Sequence, residues 1–415
     1  MKNRKILVCG AGIAGPTIAY WLWHYGFEPT LIERAPALRT GGYIIDFWGL
    51  GFDVADKMGL VPALRREGYA IDEVRIVDGG GKRTGGFCVR ALQPTLGGYV
   101  SILRSDLSRL IYEALEGGVR TIFGDTITAI EQDNDAVRVS FERAPAARFD
   151  LVIGAGGLHS PVRHLVFGPE RRYENYLGYY AAAFSADGYP HHDQRAYVGY
   201  AAPGRQVSRY SLRGGRTAFF FVFANDTKLP VGLHDLPTQK AVLRERFGQD
   251  AWECPQILTA LEACSDLYFD PVSQISLEHW SQRRVALLGD ACGCPSLLAG
   301  QGSALAMTGA YILAGELAKS GGDHGIAFAN YERLFHPFIA RKQRAAARFA
   351  GAFAPKSRAG IFIRNQVTRL MALPFVSKLA MGGLLSDSLT LPSYDMPRTS
   401  ARRLKATPPN PPQLH

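Results

Sequence analysis

KILVCGAGIAG, residues 5 to 15, leaves a chain few options for folding. Five residues of buried-strand character run into three glycines, and an apolar helical pattern follows from about Gly15 to Tyr25. Gly26 supplies a stop, and Thr30 to Ile32 reads as a second strand ending at Glu33. Two parallel strands joined by a helix demand a right-handed crossover. Gly10 permits the tight turn, Gly12 lets backbone approach a diphosphate, and Gly15 lets helix pack on strand. The unpaired N–H groups and positive dipole end of the helix then face an anion. Ala14 in the turn and Arg34 after the second strand join these as candidate cofactor-binding residues. Glu33 can accept both ribose hydroxyls of an adenosine and disfavours a 2′-phosphate, which leaves FAD or NAD rather than NADP. The alternative is a tight turn without a ligand, and the fingerprint alone does not choose between the two dinucleotides.

The chain has 415 residues, 47% of them hydrophobic, enough for two domains or one elaborated one. The first apolar run begins at Ile6 with no secretory pattern before it, so the mature protein is expected to start here. No stretch approaches the roughly 18 uninterrupted apolar residues of a membrane span. Six scattered cysteines point to reduced thiols and a cytoplasmic location rather than a disulfide framework. The net charge of +10 is dispersed except for groups such as Arg341-Lys342-Arg344-Arg348, which suit solvated helix faces better than nucleic acid. A positive field of this kind also suits an anionic cofactor and an anionic or phenolate substrate.

RSDLSRLIYEALEGG, 104 to 118, places Leu107, Leu110, Ile111, Ala114 and Leu115 on one helical face. Strands are expected around Arg120 to Phe141 and again at Asp150 to Ile153. Between about 172 and 284 the aromatic, alternating segments GYYAAAFSA, AYVGYAA, SRYSLR and TAFFFVFA predict a broad antiparallel sheet. Helix returns over 302–318 and 324–382, and ATPPNPPQLH ends a tail expected to be disordered. The expected fold is therefore α/β: a Rossmann-like cofactor domain with an inserted, mostly antiparallel β-sheet substrate domain and a C-terminal helical segment. The expected boundaries are 1–171 and 285–340 for the cofactor domain, 172–284 for the sheet, 341–396 for the helices and 397–415 for the tail.

A second cofactor element is legible in GDACGCPSLLAGQG, 289 to 302. It follows a strand, presents Asp290 at that strand's end, and enters a helix through Gly300-Gln301-Gly302. A simple NAD dehydrogenase has no need of such a late element. GAGIAG, Glu33, LRSDLSRL at 103 to 110, DLVIGAGGLHSPVR at 150 to 163 and the late motif together resemble the group A FAD-dependent aromatic monooxygenases, the para-hydroxybenzoate hydroxylase-like family. The resemblance covers roughly residues 4 to 395. AGPTIAYWL, LIERAPALRTGGYIIDFWG, CPSLLAGQGSALAMTGAYILAGEL and LPSYD are similar to the branch containing tetracycline-inactivating flavin monooxygenases.

The resemblance implies roles for particular residues. Gly10, Gly12 and Gly15 would hold the FAD diphosphate, Glu33 the ribose, and Arg104 the FAD from the loop before its helix. Asp290 would contact the diphosphate and ribityl region, with Pro295, Gly300, Gln301 and Gly302 beside the isoalloxazine and Gly42 letting that ring approach backbone. The family's middle motif has Asp-Gly before its Ser and Arg; here Gly156 replaces the Asp while Gly157, Ser160 and Arg163 remain. That Asp is linked to FAD and NADPH handling, which bears on reduction. Cys292 and Cys294 lack two further ligands at metal spacing and read as small packing residues, so no metal is expected. Trp21-Leu-Trp23 sits inside a helix and reads as packing, and His191-His192-Asp193 as a solvated loop.

The implied chemistry is NAD(P)H reduction of FAD, reaction with O₂ to a flavin C4a-hydroperoxide, and oxygen delivery to a phenolic or polycyclic aromatic, polyketide or antibiotic-like substrate. Candidate substrate residues are Tyr43, Phe47, Tyr180, Phe184, Phe219, Phe221, Phe223 and Pro295, with Arg213 for an anionic group. Strand alternation allows only some of them to face the flavin. No catalytic acid or base stands out. An FAD-linked dehydrogenase or reductase, and a non-catalytic metabolite-binding protein, remain alternatives. A monomer or homodimer is expected, with a C-terminal helix bridging the two domains near the substrate entrance.

Overall fold

The computed structural model describes residues 1–89, 98–191, 193–371 and 388–394. Lys5–Cys9 lies inside a six-stranded sheet, between Leu151–Gly154 and Glu28–Glu33, with Arg120–Phe123 at one edge and Val285–Leu287 and Ser281–Gln282 at the other. All neighbours are parallel except the terminal hairpin of 281–282 and 285–287. Ile6, Leu7 and Val8 have no exposed surface, so both faces of the strand are covered, which is why this run is apolar without alternation. The first helix, Ala14–His24, ends where Gly26 takes a φ of +86°, and it packs on helix Gly302–Lys319.

A second, seven-stranded sheet has the order Tyr268–Ile275, Glu174–Asp187, Arg216–Ala224, Arg205–Ser211, Ala196–Ala202, Glu73–Val77 and Arg83–Cys88. It is antiparallel except where Ala196–Ala202 runs beside Glu73–Val77. The sheet is therefore not built from 172–284 alone: its last two strands come from the N-terminal segment. Arg75 anchors them, bonding Glu73 on its own strand and Asp193 (2.7 Å) just before the partner strand. Helices Leu236–Phe247 and Cys254–Glu262 cover one face of this sheet through Leu243, Phe247, Ile257 and Leu261.

After Gly302–Lys319 the chain forms His324–Phe353 and Arg358–Leu370, the latter packed on Arg83–Cys88. Residues 388–394 fasten onto helix 302–319: Tyr394 Oη donates to Glu316 (2.8 Å), and its ring fills the space over Gly315, where a Cβ would stand 2.2 Å from it. The expected helix beyond 371 and the tail at 397–415 lie outside the described residues. Among the described residues no helix is long and apolar enough to cross a membrane.

Candidate functional site

The glycine turn leaves no room for side chains on one side and open space on the other. A Cβ on Gly10, whose φ is +111°, would lie 2.6 Å from the Ala155 carbonyl oxygen, and one on Gly15 would lie 1.8 Å from that of Gly10. On Gly12 it would meet only the Arg104 guanidinium, at 3.8 Å. The turn is thus tight where strand, helix and the 155 loop converge and open where a diphosphate would approach, with a cation in reach. Glu33 is fixed beside it, accepting from the Ala11 amide (2.7 Å) and the Ala35 amide (2.9 Å). Arg34 is exposed next to it.

The late motif closes this cradle. Gly289, at φ +65°, packs so closely on the start of the first helix that a Cβ there would stand 3.2 Å from Ala14 Cβ. Asp290 opens the short helix Asp290–Gly293 and faces the beginning of helix 302–319, a Gly302 Cβ falling 3.7 Å from its carboxylate. Burial raises the Asp290 carboxyl, while Arg104 and Cys294 pull it back down. Gly42 (φ +95°), Gly157 (φ +75°) and Gly300 (φ +67°) have nothing near where a Cβ would stand. Gln301 and Pro295 are buried, and the Pro295 carbonyl accepts from Gln274 (3.0 Å). An acid, a cation, a helix start and several open glycines around one cleft are the donor set a dinucleotide requires.

The aromatics expected at the substrate lie in packed cores. Tyr180, Phe184, Phe219, Phe221 and Phe223 point to the far face of the large sheet, into the core formed with helices 236–247 and 254–262. Phe47 is buried in the cofactor-domain core, its ring 6.1 Å from that of Phe52. Arg213 stacks on Tyr69 and donates to the carbonyls of Arg66, Glu67 and Gly68, so it caps the end of helix Val61–Glu67 instead of waiting for an anion. The opposite parity forms a second apolar layer, on the face away from those helices. Phe220 and Tyr268 converge on Tyr43, with ring centroids 5.9 and 5.4 Å from it, and Val222 and Leu298 continue the same apolar layer. Burial pushes the Tyr43 hydroxyl up to about 12 against the pull of Arg104, so it stays neutral.

Between the two sheets His159 of the middle motif bridges two carboxylates, with Nδ1 3.1 Å from Glu170 and Nε2 3.1 Å from Asp270, two residues beyond Tyr268. Burial disfavours its charge, but the bonds to Asp270 and Glu170 raise it to about 9. Arg163, 1% exposed, binds Glu170 (2.7 Å) and the Ala291 carbonyl (3.1 Å). Sequence reading missed this cluster; its signal was a histidine between Gly156-Gly157 and the motif's Ser160 and Arg163. Cys292 and Cys294 donate to backbone carbonyls of Gly289 and Ser273, and burial pushes both thiols up. Trp21 packs on Tyr25 and Tyr311. His191 bonds Thr217 and Ser211 while Asp193 pairs with Arg75 and Arg209; His192 lies outside the described residues.

Glycine turn, cation and carboxylates are the makings of a dinucleotide-dependent oxidoreductase. A family model described as "FAD binding domain" matches residues 3–334. The chain belongs to this family, that of the flavin-dependent monooxygenases, and its cofactor is FAD. It is 41% identical over 346 residues to an uncharacterized protein of Mycobacterium tuberculosis, covering 82% of this chain and 92% of the relative. It is 34% identical over 403 residues to a flavin-dependent monooxygenase of Legionella longbeachae, covering 95% and 99%. Among solved structures, the tetracycline destructase Tet(55) superposes with a TM-score of 0.81 at 33% identity, covering 95% of this chain and 100% of that one.

Proposed function

We propose that this monooxygenase hydroxylates a phenolic or polycyclic aromatic small molecule, polyketide- or antibiotic-like in kind, with NAD(P)H as transient reductant and O₂ as oxidant. The observation that carries the reading is the double engagement of Tyr43. Its carbonyl accepts from the Arg104 amide (3.1 Å) on the cofactor side, while its ring meets Phe220 and Tyr268 on the substrate side. An aromatic substrate stacked on that wall is held against the cofactor cradle. The structural neighbour Tet(55) is a tetracycline destructase, which favours a fused-ring substrate.

Gly10, Gly12, Ala14 and Gly15 would hold the FAD diphosphate, with Arg104 neutralising it, Glu33 and Arg34 at the adenosine end and Asp290 at the ribityl chain. Gly42, Gly157, Pro295, Gly300, Gln301 and Gly302 would let backbone approach the ring system. When bound, FAD supplies the redox chemistry, carrying two electrons from NAD(P)H to O₂. The chain's own part is to orient and exclude water. Phe220, Val222, Tyr268 and Leu298 form a dry wall, and the neutral Tyr43 hydroxyl adds no charge to it. Beyond that wall the substrate's own phenol would activate the ring.

The test is oxygenation with isotopically labelled O₂, FAD-loaded protein, NADH or NADPH, and tetracycline or hydroxynaphthoate. Label in the organic product is the expected result. Reduction of the flavin with all of the oxygen recovered as peroxide or water, for both compounds and both reductants, would favour a reductase or oxidase instead.

A further inference from the structure

Among the buried and half-buried arginines of the large sheet, those on its strands are matched with acids. Arg75 pairs with Glu73 and Asp193, Arg205 with Asp250, and Arg209 with Asp193 and Glu253. Arg364, reaching the same sheet from helix Arg358–Leu370, differs. Its Nη1 donates to Gln206 Oε1 (2.7 Å) and to the Phe353 carbonyl (3.1 Å); its Nε and Nη2 donate to Asn365 Oδ1 (3.2 and 3.0 Å). All three acceptors are neutral. Four bonds leave one of a guanidinium's five N–H groups over, and no carboxylate among the described residues forms an ion pair with this one. Burial lowers the guanidinium to about 10, with only Tyr197 pulling the other way. A cation that is partly desolvated and unmatched is poised for an anion.

Its place is the aromatic cleft. The Phe353 whose carbonyl it binds turns its ring edge-on to Phe220, centroids 6.2 Å apart, and Phe220 packs in turn on Tyr43. Gln206 is paired with Val222, which belongs to the cleft-side apolar layer, so Arg364 meets the sheet on its substrate face. Arg364 is half-buried, so it is not sealed from solvent.

We propose that Arg364 is the anion-recognising residue of the substrate site, pairing with an ionised oxygen on the aromatic substrate, either a carboxylate or the enolate of a β-dicarbonyl. The assignment rests on the monooxygenase reading only for placing an aromatic ligand in this cleft.

The test is binding to FAD-loaded protein, read by perturbation of flavin absorption, with three probes. Hydroxynaphthoate carries a carboxylate, hydroxynaphthamide is its neutral counterpart, and acetylindanedione is an enolate at neutral pH. A charged hydrogen bond of this type corresponds to a preference of about tenfold or more for an anion over the amide. Arg364→Gln removes the charge. Gln206→Glu, nearly isosteric, instead places a carboxylate against the intact guanidinium and keeps the fold comparable. Both should bring the probes within about twofold of parity, while Arg364→Lys keeps part of the preference. Tighter binding of one anion identifies which ionised group is read. Equal binding of all three probes by the unaltered protein, or an undiminished anion preference in Gln206→Glu, would overturn the proposal. Absence of label transfer with the preference intact sinks the monooxygenase reading and leaves Arg364 as assigned.

Discussion

Phe220 and Phe221 are adjacent, chemically identical and on opposite faces of one strand, so exchanging each for alanine separates packing from substrate contact. Phe221 is 1% exposed and sits against Phe247 (4.9 Å, edge-on) and Phe184 (6.1 Å), under two helices. Truncating such a ring costs about 3–5 kcal/mol. At roughly 2–4 °C per kcal/mol for a domain of this size, Phe221→Ala should lower the Tm by about 6–20 °C. Its effect on hydroxynaphthoate affinity should be under twofold, because the ring faces away from the cleft. Phe220 is half-buried and touches Tyr43 and Phe353. Its removal should cost the fold about 1–2 kcal/mol and weaken hydroxynaphthoate roughly tenfold, as loss of an aromatic contact and its buried area implies. Melting curves of the FAD-loaded variants and probe titrations give both numbers. Phe221→Ala with an unchanged Tm and a weakened probe would show that the two faces have been assigned the wrong way round.

Gly15→Ala puts a methyl 1.8 Å from the Gly10 carbonyl; the purified protein should carry less than about a tenth of the normal FAD, since the clash cannot be relieved without opening the turn. Absorbance at the flavin band against protein checks it. Arg104→Leu removes the cation that opposes the rise of the Asp290 carboxyl, so FAD affinity should fall on the order of tenfold and fall further as pH drops, measured by fluorescence titration. His159 has a folded-state value near 9, above its ordinary 6.5. Its contribution to stability is therefore complete below pH 6.5 and lost as pH rises through 9; His159→Gln should flatten the Tm profile across that window, and an unchanged slope would refute the bridge.

Much of the cofactor half was legible because its signals are local. Strand, glycine turn, helix and acid lie within thirty residues, Glu33 bonds the Ala11 amide in the turn, and Gly289 and Asp290 pack at the starts of helices 14–24 and 302–319. The substrate half was not, for a reason visible in TAFFFVFA. That strand is buried on both faces, by two helices behind and by the cleft wall in front, so aromatic residues occupy both parities and alternation carries no information. The same limit hid Tyr268. The strands at 73–77 and 83–88 were missed because their charges, Glu73, Arg75 and Arg83, satisfy one another across the sheet, a pairing between residues far apart in sequence from the partner at 196–202. Arg213 was misread because an exposed arginine and a helix-capping one look alike until the third dimension supplies the carbonyls.

The middle motif links these two halves. Where the resembling family has an aspartate, Gly156 is exposed, and a Cβ there would lie 3.0 Å from Pro161 Cδ and 3.3 Å from Ser160 Cα, so a larger residue would have to displace the following turn. The acids around this motif come from elsewhere: Glu170, which meets the almost fully buried Arg163, and Asp270, carried on the strand of Tyr268. His159 holds both. Burial opposes the Glu170 charge, yet His159 and Arg163 keep its carboxyl below the usual range, so the group is anionic throughout the neutral region. One histidine thus ties the cofactor-domain motif to the substrate sheet and offsets the charge that Asp270 brings near Tyr43 and Tyr268. Two acids, Glu170 and Asp270, thus balance two cations, His159 and Arg163, beside the apolar layer of Phe220 and Tyr268; under the proposed function that balance would keep charge off the surface an aromatic substrate stacks on, and Arg364 would supply the positive charge that reads it.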